Sequence, residues 1–515
     1  MSNGCTRESM SVLKRFAALR LILTAAAAAA AVPGLAHAEW RKAETKHFIV
    51  YSNSFDRELR GDALELERID QLMRTYFALP QVEGERKLPV YIVRTRRDLA
   101  QAAPELPDQI NGFYSANFRD IRAVAVRTSG DETLRHEYGH HFMFRNFPGA
   151  YPAWFREGFA EFFSTATVTG SGRATVGKSP FSSVQALNNI RWLPMEQVLA
   201  GRFSFAEGRE AAAFYAQSWL LMHWTLTDPE RRSRMEGYLA DTARGVSQDA
   251  ALRTHLDMDS EQLGRALRAY LAAGPRYAEL DLEAAEPSLT ITALPDSADE
   301  VLLLDLNARD GGPANQGPDM LRRAHEAAAV LPVDALAQMM LARVELRWGD
   351  PAAAERAVQP LLDADPANTE LLLLMADARI TAGDKLTDAE ERERLYRQAR
   401  GLLARAYAAD PGDNRIYQNI AYSRRFAPDY PTENDVELWR RAVAIAPEVA
   451  SNRAVTAEAM LRHGLVDEAE RVIQPVANDP HGREAPERLQ RILDRIAAAR
   501  AGTDPAPAPA PAKTD

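Results

Sequence analysis

From residue 40 to about 128, short alternating runs of apolar and polar positions give way to helical spacing and then return. His47-Phe48-Ile49-Val50-Tyr51 and Pro89-Val90-Tyr91-Ile92-Val93 predict strands, being rich in β-branched and aromatic residues. Between them Leu59, Ala63, Leu66, Ile69, Met73 and Tyr76 recur as one face of a helix. Gly112-Phe113-Tyr114 and residues 123–126 read as two further short strands. From 129 to about 275 the periodicity is helical, and Ser129 with Glu132 forms a candidate capping box at its start. The expectation is a small sheet (40–128) followed by packed helices (129–275), an α+β arrangement.

Residues 276–298 hold short mixed segments such as Ser288-Leu289-Thr290-Ile291 and read as a connector. Beyond it the pattern changes. Pro332, Pro366, Pro411, Pro447 and Pro480 fall at intervals of 34, 45, 36 and 33 residues. Gly349-Asp350 and Gly383-Asp384 are 34 residues apart, and Ala354-Glu355-Arg356 recurs as Ala469-Glu470-Arg471. A period of ~34 residues with small residues inside and proline after each helix pair is the signature of tetratricopeptide repeats. The longer interval fits one repeat with an insertion near residues 385–395. Repeats over 299–500 form an all-α solenoid whose units contact mainly their neighbours, so the domain before them (39–275) is expected to fold without them. The end, 501–515, is a Pro/Ala run that cannot pack a core and reads as a disordered tail.

Composition changes this picture only at the margins. The chain has 515 residues, 46% apolar and 26% charged, with a net charge of −10. An acidic chain without a basic block argues against nucleic-acid binding, which needs clustered cations. Residues 1–38 combine Lys14, Arg15 and Arg20 with an apolar run at 21–32 and Ala36-His37-Ala38, the pattern of a cleaved signal peptide. That run is too short to span a bilayer, so a transmembrane anchor is not expected. The mature protein is then periplasmic or secreted, and its lone cysteine, Cys5, leaves with the leader.

The chemistry concentrates at His136-Glu137-Tyr138-Gly139-His140. Histidines at i and i+4 share one helical face and can reach one ion, with Glu137 beside it. Catalytic zinc takes three protein ligands, so a third is needed. Met143 and Asn146 stand where a metzincin requires Gly and His, which excludes that class. Sixteen residues after His140 comes Glu157, within Trp154-Phe155-Arg156-Glu157-Gly158-Phe159-Ala160-Glu161. Pro148, Gly149 and Pro152 break the first helix and let a second return beside it. Glu157 and Glu161 share a face of an otherwise apolar helix, a costly burial unless they meet a cation or a donor.

His136-Glu137-x-x-His140 followed by Trp154-x-x-Glu157-Gly-x-Ala160-Glu161 resembles the gluzincin branch of the zinc metallopeptidases. It is closest to the bacterial peptidase-MA-like proteins that often precede tetratricopeptide repeats. The resemblance implies a zincin-like domain holding Zn2+ through His136, His140 and Glu157, with Glu137 as general base. Glu161 matches the acid that orients a ligating histidine and is the alternative ligand. Tyr215, in Phe214-Tyr215-Ala216-Gln217, resembles the tyrosine that donates to the oxyanion, with a core aromatic as the competing reading and His223 as a weaker candidate donor. Residues 123–126 resemble the family's edge strand, which pairs with an extended peptide. The implied function is a zinc-dependent peptidase acting on a protein or peptide substrate, its repeats recruiting a protein partner or that substrate. The alternative is a non-catalytic adaptor built on a metal-bound scaffold. His141 points away from the metal face, and no partner is evident for His47 or His255.

Overall fold

The computed structural model describes residues 40–503, apart from 81–84, 108–109, 128–130, 205–206, 285–286, 311, 313 and 478–485. The leader, the tail from 504 onward and Ser129 of the expected capping box lie outside the described residues. Nine strands are described: β1 (Arg41–Glu44), β2 (Phe48–Ser52), β3 (Leu88–Val93), β4 (Gly112–Ala116), β5 (Ile121–Val126), β6 (Thr167–Val168), β7 (Arg173–Val176), β8 (Ala278–Asp281) and β9 (Thr290–Ala293). Six form one sheet in the order β4-β5-β3-β2-β1-β9. β2, β3 and β5 are parallel neighbours; β4, β1 and β9 add antiparallel. Val90 and Val93 of β3 and Val124 of β5 are fully buried, as strands interior to a covered sheet require.

The first helices are α1 (Asp56–Tyr76), α2 (Arg96–Ala102), α3 (Glu132–Asn146), α4 (Ala153–Ser164), α5 (Phe181–Asn189), α6 (Met195–Leu199), α7 (Gly208–Leu226), α8 (Pro229–Ala243), α9 (Gln248–Leu256) and α10 (Ser260–Ala273). α1 crosses over between parallel β2 and β3 and buries Leu59, Ala63, Leu66, Ile69 and Met73, the face read from its spacing. α4 lies between α3 and α7, in contact with both.

Two sequence expectations fail here. The stretch 276–298 is no connector: β8 pairs with β7, and β9 extends the main sheet beyond β1. Their alternation is short and their side chains mostly exposed, which hid them from the pattern. Residues 123–126 are not an edge strand either. β5 sits between β3 and β4, and β4 is the edge.

Beyond β9 the chain is helical: α11 (Ala298–Asp310), α12 (Gly317–Val330), α13 (Ala335–Trp348), α14 (Pro351–Ala364), α15 (Thr369–Asp384), α16 (Ala389–Ala409), α17 (Asn414–Tyr422), α18 (Glu433–Ile445), α19 (Ala450–Arg462), α20 (Val466–Ala477) and α21 (Pro486–Arg500). Each helix from α12 packs on the next, giving a stack of helix pairs. Asp334, Asp350, Asn368, Asp388 and Asp413 accept N–H bonds at successive helix starts, satisfying donors the first turn leaves open. The expected insertion is absorbed largely by lengthening α16 to 21 residues, against 14 in α14.

The stack does not stand apart from the sheet. Leu302 and Leu306 of α11 share an apolar cluster with Trp40, Tyr91 and Val124, while Ala446 and Val449 join the core of the first domain. A chain of alternating charges spans the same junction. Arg122 of β5 meets Asp120 at 3.2 Å and Asp310 at 2.5 Å; Asp120 meets Arg309 at 3.1 Å. Arg309 and Arg343 hold Asp305, and Arg343 and Arg415 hold Glu370, all at 2.6–2.9 Å. Such pairs, largely buried, fix one docking geometry because removing either partner strands a buried charge. Residues of the stack thus complete part of the first domain's core, against which the expectation of a domain folding alone has to be tested.

Candidate metal centre

α3 begins after Asp131, whose backbone is left-handed and whose side chain makes no capping bond. On its inner face His136 and His140 approach Nε2 to Nε2 at 3.2 Å. Glu157 of α4 reaches both, its Oε2 lying 3.6 Å from each Nε2. These three side chains form the one described group of His, Cys, Asp or Glu able to hold a metal ion. Glu161, one turn further along α4, lies with its Oε1 3.3 Å from His136 Nδ1, the ring nitrogen facing away from the cluster.

Two glycines set this geometry. A Cβ on Gly139 would lie 3.0 Å from the Ala160 Cα, so α3 and α4 meet nearly backbone to backbone. A Cβ on Gly158 would lie 2.4 Å from the Ser218 carbonyl oxygen, which presses α4 equally close to α7. That second contact brings Tyr215 to the centre. Its ring centroid is 6.2 Å from that of His136, and its hydroxyl donates to the Glu157 carboxylate. Burial and the charges of Glu157, Glu137 and Glu161 hold the phenol well above its ordinary pKa, so it keeps its proton at neutral pH.

The electrostatics ask for a cation. Glu137 is buried beside the histidines, so three carboxylates converge on two imidazoles. Burial opposes a charge on His136, yet the hydrogen bonds its ring donates to Glu157 and Glu161 and the nearby carboxylates outweigh it and raise its pKa well above the usual range. Four-coordinate zinc holds ligands at about 2.0–2.1 Å, which puts adjacent donor atoms roughly 3.3 Å apart. The observed 3.2–3.6 Å spacings fit that ion without rearrangement. Two imidazoles and one carboxylate also leave a coordination position for water or substrate.

The centre opens into a cleft of about 610 Å³, flanked by β4 and closed on the far side by Pro447, Glu448, Arg453 and Val476 of the helix pairs. Arg453 is pulled down to about 10 by burial, with Glu448 opposing that fall. Arg156, buried beneath Phe144, also lines the cleft. None of these carried a signal in the sequence, since their place depends on how the stack closes over the sheet.

The remaining histidines sit elsewhere. His223 is fully buried, with Nδ1 2.8 Å from the Tyr270 hydroxyl and Nε2 2.9 Å from the Gly177 carbonyl oxygen, which leaves it no role at the oxyanion. His141 packs against Tyr114, and burial lowers its pKa well below the ordinary value. His47 pairs with Glu67 at 2.7 Å and His255 with Asp241 at 2.8 Å, partners too distant in sequence to be read from it.

Among the described residues, no helix is long and apolar enough to cross a membrane. No protein-family model and no curated protein matches the sequence. Among solved structures the chain is similar to a thermophilic tetratricopeptide-repeat protein of Thermus thermophilus, at 18% identity and a TM-score of 0.32, over 40% of this chain and 99% of that one.

Proposed function

We propose that the protein is an exported, zinc-dependent peptidase of the gluzincin type whose tetratricopeptide-like helix pairs help receive the polypeptide to be cut. One observation carries this reading: His136, His140 and Glu157 offer three donor atoms at zinc spacing, with Glu137 and Tyr215 beside them. A zinc ion held there supplies Lewis acidity for the scissile carbonyl and lowers the pKa of water toward ~7.

The chain's own groups do the rest. Glu137 accepts the proton from the attacking water and delivers it to the departing amine. The Tyr215 hydroxyl, kept protonated by its surroundings, donates to the carbonyl oxygen as negative charge develops. Glu161 orients His136 through Nδ1. The outermost strand, β4, offers main-chain donors and acceptors to an extended substrate lying across the centre.

The test is Glu137→Gln in the mature full-length protein. Zinc content and melting temperature are expected to hold while hydrolysis of a mixed peptide pool falls by a factor of ~10² or more. Full zinc with unchanged hydrolysis in that variant would assign the centre a structural role and leave an adaptor.

A further inference from the structure

Arg453 lies near the start of α19, lines the metal cleft and is only 6% exposed. Its Nε donates to the Pro447 carbonyl oxygen at 2.8 Å, and its Nη1 to that of Val472 at 3.4 Å. Both partners are neutral. The one acid whose charge acts on it, Glu448, is paired instead with Arg145 at 3.3 Å, and burial raises the Glu448 pKa. Nη2 forms no hydrogen bond with a described residue, yet it is not sealed in and keeps accessible surface.

A cation this buried is costly unless an opposite charge meets it. Elsewhere in the stack that match is made: Arg415, at the start of α17, has both Asp413, the residue capping its helix, and Glu370. α19 begins differently, with Val449 at the cap position and no side-chain bond to its first amides. The bond to Pro447, which precedes the helix, folds the guanidinium back over that start. A full positive charge and the positive end of a helix therefore fall together on the wall of the cleft, and both call for an anion. Arg453 stays charged at neutral pH even though burial lowers its pKa to about 10.

We propose that Arg453 anchors a carboxylate of the substrate, gripping it at the start of α19 while the scissile bond lies at the metal centre. The inference rests on the peptidase reading above and adds its substrate class: polypeptides carrying an acid at a fixed distance from the cleaved bond. A polypeptide supplies that carboxylate at its C-terminus or on an Asp or Glu side chain, and either makes a charge-assisted bond to a guanidinium. Glu137, Glu157 and Glu161 at the other end of the cleft repel a further carboxylate, so the same charges that attract the anion to α19 also fix the direction in which the chain lies.

Binding to the Glu137→Gln full-length protein tests this without turnover. The probes are short fluorescein-labelled peptides of one neutral sequence: one with a free C-terminal carboxylate, one with a C-terminal carboxamide, and a carboxamide series in which each position in turn carries Glu. The free acid, or one member of the Glu series, is expected to bind at least about tenfold tighter than the neutral carboxamide, the worth of one charge-assisted hydrogen bond. Which of them does so tells a chain end from a side chain. Arg453→Met, similar in reach but uncharged, is expected to erase the preference with zinc content unchanged. Arg453→Lys keeps the charge without the planar fork, so its preference is expected to drop severalfold, and it decides the matter if the Met variant fails to fold.

Equal binding of all the peptides would overturn the proposal. So would a preference that persists in whichever variant folds, and its loss on chelation would then place the carboxylate on zinc. Failure of the peptidase reading shows separately: the wild-type protein would display the same Arg453-dependent preference and leave the preferred peptide uncut. Failure of the anchor alone would leave it cutting acidic and neutral peptides alike.

Discussion

Replacing Gly158 by alanine tests whether close helix packing sets the metal centre. The added Cβ would lie 2.4 Å from the Ser218 carbonyl oxygen and 3.0 Å from the Met222 Cβ. A carbon–oxygen contact needs roughly 3.3 Å, so α4 has to retreat from α7 by about 1 Å. Ser218 O is backbone within a helix and cannot rotate away. Glu157 is the adjacent residue, and metal–ligand distances tolerate only about 0.2 Å. The displacement is several times that tolerance, so zinc affinity is expected to weaken by at least ~10-fold in competition with a chromophoric chelator. Overpacking of this kind also costs about 1–3 kcal/mol, read as a lower melting temperature by calorimetry. Gly61→Ala is the matched control. It sits on an exposed turn of α1 with nothing within 4 Å, and gains about 0.5–1 kcal/mol of helix propensity with zinc affinity unchanged. Wild-type zinc affinity in Gly158→Ala would refute the packing argument, whatever happened to stability.

On the proposed mechanism Tyr215→Phe is expected to lower kcat by about 10²–10³ with little change in KM, since a bond to the oxyanion would strengthen in the transition state; equal loss in both would mark a packing role. Glu157→Gln should abolish stoichiometric zinc by metal analysis, and Glu161→Gln should weaken it by about 10–100-fold, the reverse order making Glu161 the ligand. Deleting residues 299–515 is expected to leave an unfolded, protease-sensitive chain, since α11 and residues 446–449 complete the first domain's core; a cooperative melting transition in that fragment would contradict this. Asp413 is lowered from 3.8 to about 2, burial opposing the shift and Arg415 and Arg86 producing it. Its charge then stabilises the fold above pH ~3.8, by about 2 kcal/mol, and that contribution fades as pH falls toward 2. Asp413→Asn should therefore unfold at lower denaturant at pH 7, with the gap to wild type narrowing below pH 3.8.

The parts of the site that were legible in the sequence are those fixed by local geometry. His136 and His140 share a face because a helix repeats every 3.6 residues, and Glu157 with Glu161 could be placed because Pro148 and Pro152 force a return. Even so, that Glu161 reaches the outer nitrogen of His136 while Glu157 faces the inner ones follows from the contact of Gly139 with Ala160. The helix pairs were legible for a similar reason: Pro366, Pro411 and Pro447 each follow the second helix of a pair, where the chain must leave helical backbone. What escaped was long-range. Residues 123–126 look like an edge because they are short and precede the metal helix, but the outer neighbour, β4, comes earlier in the chain. Nothing local in 278–281 or 290–293 announces strands whose partners lie more than a hundred residues upstream.

The pairing of β9 with β1 bears on how the molecule is made. Residues 41–44 gain their outer neighbour only when residues 290–293 arrive, after every residue of the metal centre has been synthesised. Until then β1 is a bare edge with open main-chain donors and acceptors, the kind of surface on which nascent chains aggregate. Closing a loop of that length is slow relative to forming the helices within it. A newly made molecule therefore passes through a stage with its histidines on preformed helices and its sheet unfinished. Expression of fragments ending before residue 290 should yield inclusion bodies, and a holding chaperone that masks extended edges should raise the yield of the whole chain.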